Sequence, residues 1–181
     1  MKLNRIMWSA PLGAAVIAAS LYARPARAEE FPIGGPVVRD GVEIVPNYLV
    51  GIQMDRMPPG MAMAGADVVH LECDAHATQD EAHGFAADAW MPDLTIRYVL
   101  TKQGSNFRAT GRLFPMTAKD GPHYANNVAM GGPGIYQLDY TVEPPSSNGF
   151  LRHVDAKTGV PDWWKPIKAS WTFTYPVKPA N

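Results

Sequence analysis

The sequence predicts an all-β fold, an immunoglobulin-like antiparallel β-sandwich. Three observations carry this. Seventeen prolines and 16 glycines are spread along 181 residues and interrupt any long helix. Beyond the N-terminal leader, no long segment repeats its apolar residues every 3.6 positions. Apolar and polar residues alternate instead, which is the period of a strand with one face buried.

The first residues concern export. Lys2 and Arg5 precede an uncharged, apolar run from Ile6 to Tyr22, and Ala26-Arg27-Ala28 offers small residues to a signal peptidase. Residues 1–28 therefore read as a secretory signal peptide cleaved after Ala28, and residues 29–181 as a single immunoglobulin-like domain exported to the periplasm. The leader carries four basic residues and no acids, so 12 Lys and Arg face 17 Asp and Glu in what remains. A mildly acidic exported domain is not built to grip nucleic acid. Cys73 is the only cysteine, so no disulfide forms within one chain.

The strands follow in order. Tyr48 to Met54 is the first expected, then Val68 to Ala77. Leu94, Ile96, Tyr98 and Leu100 alternate with Thr95, Arg97 and Thr101. Gln103-Gly104-Ser105-Asn106 turns the chain, and Phe107 to Leu113 reads as the returning strand. Tyr136, Leu138, Tyr140 and Val142 alternate, Phe150 to Val154 is a further short strand, and Ala169, Trp171, Phe173 and Tyr175 close the series. About seven strands with turns between them predict the sandwich.

The strand VVHLECDAHA carries the chemistry. Leu71, Cys73, Ala75 and Ala77 share one face, and His70, Glu72, Asp74 and His76 share the other. Cys73 is thus a packed thiol, which excludes a blue-copper site here. His70 and Glu72 lie roughly 6.6 Å apart along the strand and can lean toward one ion; His70 and His76, roughly 20 Å apart, cannot. A solvated face carrying the same residues without a metal is an equal expectation from this stretch alone. His83 follows in the adjoining polar loop.

The two remaining histidines sit in turn-rich settings. Pro115, Gly121 and Pro122 fix a loop in FPMTAKDGPHYANNV, so Met116 and His123 can face one point from its two ends. The competing expectation makes Met116 core filler and His123 a surface residue. His153 ends a strand ahead of a Gly159 and Pro161 turn and the Trp163-Trp164 pair. A thioether, imidazoles and a carboxylate suit copper best, with ferrous iron also compatible. Zinc rarely takes methionine, and calcium needs more oxygens. Met54, Met57, Met61 and Met63 form a Met-rich stretch that reads either as a Cu(I) loop or, preferably, as an apolar cover on the sandwich.

Five segments together resemble one family: FPIGGPVVRDGVEI, ADVVHLECDAHA, WMPDLTIRYVLTK, LFPMTAKDGPHYANNV and RHVDAKTGVPDWWKP. They are similar to the periplasmic iron-transport proteins that accompany ferrous-iron permeases, to which the treponemal metal-binding membrane antigen is related. The resemblance implies an immunoglobulin-like homodimer in high-affinity iron uptake that works with an inner-membrane iron permease. It implies copper, and iron with it, as bound metals near the subunit interface. The implied ligands are Glu72, Met116, His123 and His153, with His70 in some members and Asp120 supporting His123. Cys73 departs from the small residue expected there and adds possible redox sensitivity. A periplasmic copper chaperone or copper-resistance protein is the rival reading. No nucleophile–base pair or phosphate-binding glycine loop is present, so hydrolase and nucleotide chemistry are not expected. A small copper oxidoreductase acting on Fe(II) is a third reading, but the sequence offers no second redox centre or evident substrate cleft, so the expectation is a protein that is not an enzyme.

Overall fold

The computed structural model describes residues 30–176, so the leader and its cleavage site lie outside the described residues. The strands are β1 (Glu30–Pro32), β2 (Val37–Arg39), β3 (Val42–Val50), β4 (Val68–Ala77), β5 (Thr95–Lys102), β6 (Arg108–Ala118), β7 (Gly121–Ala129), β8 (Gly134–Glu143) and β9 (Ile167–Tyr175). A short 3-10 turn at Pro145–Asn148 follows β8. All named pairings are antiparallel. Among the described residues no helix is long and apolar enough to cross a membrane.

The strand order is β1-β3-β4-β7-β6-β5-β8-β9, with β2 beside β3. One strand joins the two halves. Arg108 to Leu113 of β6 pair with β5, and Phe114 to Ala118 pair with β7. The sheet therefore curls at β6 and brings its two inner faces together. Tyr48 on β3 meets Phe173 and Tyr175 on β9, with ring centroids 6.1 and 5.7 Å apart. Tyr140 on β8 donates its hydroxyl proton to the Glu72 carbonyl on β4, at 3.1 Å. The all-β, antiparallel expectation holds, realised as one curled sheet.

Period two places the core. Leu71, Cys73, Ala75 and Ala77 of β4 are all enclosed, and so are Tyr136, Leu138, Tyr140 and Val142 of β8. Cys73 is a buried free thiol, as its face predicts. Among the described residues nine strands are present where about seven were expected. β3 runs earlier than expected, and residues 51–54 leave the sheet. Residues 150–154 form no strand; they lie in an irregular segment between the 3-10 turn and β9. β7 is the main addition, because GPHYANNVA has neither apolar alternation nor a strand-like start.

Candidate metal centre

The outer face of the β3-β4-β7-β6 half positions the site. His70 pairs with Asn127 and Glu72 with Ala125, so the same-face side chains of β4 and β7 lie side by side. Met116 on β6 stands directly opposite His123 on β7. A tight turn fixes that register: Ala118 pairs with Gly121, leaving only Lys119 and Asp120 at the tip. Gly121 has a φ of 140°, a backbone conformation that side chains with a Cβ rarely adopt. The expected loop from Met116 to His123 is thus a hairpin, and the two residues meet as cross-strand neighbours.

The outer face is not solvated. His70 is 3 % exposed, Glu72 8 % and His123 6 %. The segment after β3 crosses over them and roofs a cavity of about 850 Å³, whose lining includes His70, Glu72, Met116, Asp120 and His123. Burial of three ionisable side chains without full pairing is costly unless something compensates. This disposes of a merely solvated polar face.

The donor atoms converge. One ligand atom from each of His70, Glu72 and His123 lies within 4.8 Å of the others. His123 Nε2 stands 3.5 Å from Glu72 Oε2. The His70 and His123 rings are perpendicular, with centroids 5.8 Å apart. Two ligands on one ion with bonds of about 2.0–2.2 Å lie within about 4.4 Å of each other, so a small inward movement suffices. His70 Nδ1 is 2.7 Å from Asn127 Oδ1. An amide oxygen only accepts, so Nδ1 carries the proton and the Nε2 lone pair is free for a ligand.

The electrostatics favour a cation. Burial, then the charges of Asp74, Glu30 and Asp120, raises the Glu72 carboxyl to about 8. Burial also lowers His70 and His123, which keeps both imidazoles neutral, the form that ligates a metal. For His123, Asp74, a backbone hydrogen bond at Gly121 and Asp120 act in the opposite direction. A divalent cation relieves the carboxylate repulsion and uses the neutral imidazoles. The donor set fits copper: imidazole nitrogens with a carboxylate and an adjacent thioether.

The other histidines of the chain lie away from this cluster. His153 lies outside this cluster and cavity, with Nδ1 2.8 Å from Thr158 Oγ1 on an exposed loop. His76 faces Glu43 of β3 and bridges to Trp90. His83 stacks on Trp163 at 4.4 Å and pairs with Glu81 at 2.7 Å. Trp163 and Trp164 thus cover His83 and do not shield the cavity. Asp120 does line it. Sequence reasoning missed Asn127, which carries no ligand signal and is identified only by its cross-strand position.

A family model described as Fe2+ transport protein matches residues 27–176. The chain belongs to this family. Solved structures similar to this Fe2+ transport protein family member share its fold. FetP from uropathogenic Escherichia coli strain F11, expressed in the periplasm of its host, is 44 % identical over 81 % of this chain and 96 % of its own, with a TM-score of 0.75. A copper-reconstituted Campylobacter jejuni protein is 41 % identical over 84 % of this chain and 99 % of its own, with a TM-score of 0.76. The 34 kDa membrane antigen of Treponema pallidum is 32 % identical over 152 residues, covering 79 % of this chain and 72 % of the antigen.

Proposed function

We propose that this Fe2+ transport protein family member is a periplasmic metal-binding protein of high-affinity iron uptake. It binds copper at His70, Glu72, Met116 and His123, takes iron as its cargo, and works with an inner-membrane iron permease. It acts as a carrier and not as an enzyme. The observation that carries the reading is the buried convergence of His70, Glu72 and His123 within 4.8 Å. Copper-bound forms of the Escherichia coli and Campylobacter relatives support the choice of metal.

The chain works as a homodimer of immunoglobulin-like subunits. His153 supports this part of the reading, because its loop is exposed beside Leu151 and Val154, at 87 % and 75 % exposure. A second copy seated there brings His153 to the partner's cavity.

Calorimetric titration with Cu(II) tests the site. The intact protein binds tightly, and His70→Ala with His123→Ala weakens binding by about 100-fold or more. Unchanged affinity rejects the site. A deletion strain grown under iron limitation tests the role: failure to take up iron supports it. Normal iron uptake with copper sensitivity rejects it in favour of a copper chaperone or resistance protein.

A further inference from the structure

The cavity has a second wall of different chemistry. Met54 and Met61, from the segment that follows β3, line it together with Met116. None of the three belongs to the hydrophobic core, where the methionines are Met91 and Met130. Nor are they surface residues like Met57 and Met63, at 37 % and 75 % exposure; all three are half-buried against the cavity. Met54 and Met61 thus cover the sheet and face the cavity at the same time.

Their placement is fixed by the backbone. The Asn127 carboxamide donates to the Ile52 carbonyl at 3.4 Å, and the Ala62 N–H donates to the Asn127 carbonyl at 2.9 Å. Between these ends the Met61 N–H donates to the Pro58 carbonyl at 3.1 Å. Both ends of the segment are thus tied to one residue of β7, the residue whose side-chain oxygen orients His70. The thioether wall and the imidazole floor share an anchor.

Thioethers are neutral, soft donors. They select Cu(I), whereas imidazole and carboxylate suit Cu(II) and Fe(II). Three of them on one cavity offer a site that needs no deprotonation. We propose that Met54, Met61 and Met116 form a Cu(I) site in this cavity, adjoining the His70–Glu72–His123 site and sharing Met116 with it. The proposal rests on the reading of the cavity as a metal centre and adds the oxidation state that its second wall accepts.

Anaerobic Cu(I) titration of the intact protein against bicinchoninate tests it. Leucine keeps the volume of methionine and removes the sulfur. Met54→Leu with Met61→Leu lowers Cu(I) affinity by about tenfold or more and leaves Cu(II) affinity within about twofold. Met57→Leu with Met63→Leu changes neither. Unchanged Cu(I) affinity in the first pair overturns the site. Equal loss of Cu(I) and Cu(II) affinity also overturns it, because the segment then only shapes the histidine site. Failure of the underlying reading is distinct: the unaltered protein then binds no Cu(II).

Discussion

Glu72 sits where two groups of ligand-type side chains overlap. Its carboxylate lies within 4.8 Å of donor atoms of His70 and His123 and also of Glu30 and Asp74. A carboxyl raised to about 8 makes the metal-free protein sensitive to pH. The folded state holds this proton more tightly than the unfolded chain, so the associated stability is present in acid and is lost as pH rises toward 8. His70 and His123 are lowered from 6.5 and act the other way, gaining stability up to about that pH. The window from 6.5 to 8 thus belongs to Glu72. Thermal melting of the metal-free protein falls across it, and Glu72→Gln flattens the fall; an unchanged slope refutes the assignment. Residue type and strand period already placed His70 and Glu72 on one face. Asn127 stayed invisible, since an amide in a polar run has many possible partners.

At the scale of elements, the β6–β7 hairpin shapes the site, and one buried pair ties two loops together away from it. His83 and Glu81 have side chains 7 % and 0 % exposed. The Glu81 carboxylate also accepts from the His83 and Phe85 backbone N–H groups. His83 Nε2 lies 3.2 Å from the Asp162 carbonyl, which ties the segment after β4 to the one before β9. Glu81→Ala leaves an imidazole and two N–H groups without their acceptor and destabilises the fold by about 3 kcal/mol. Chemical denaturation measures this, and Cu(II) affinity stays within about twofold because the pair lies apart from the cavity. The sequence marked His83 as ligand-type. It did not mark it as a loop clamp, because stacking on Trp163 joins residues 80 positions apart.

At the scale of the molecule, the two halves of the curled sheet meet through Tyr140. Its hydroxyl reaches from β8 to the Glu72 carbonyl, under the metal site. Tyr140→Phe removes one buried hydrogen bond and leaves the packing almost unchanged, so it costs about 1–2 kcal/mol. Thermal melting followed by circular dichroism detects the loss, and an unaltered melting curve shows that the bond does not couple the halves.

Local chemistry alone determined much of this protein. Side-chain alternation assigned β4, β5, β8 and β9, put Cys73 inward, and separated His70 and Glu72 from the core face. Those properties depend on neighbours two positions away, which the chain always supplies. The tertiary structure alone decided which distant residues meet. The bend in β6, the register of Met116 against His123, the roof over the outer face and the anchor at Asn127 all follow from long-range strand pairing, which no short window of sequence contains.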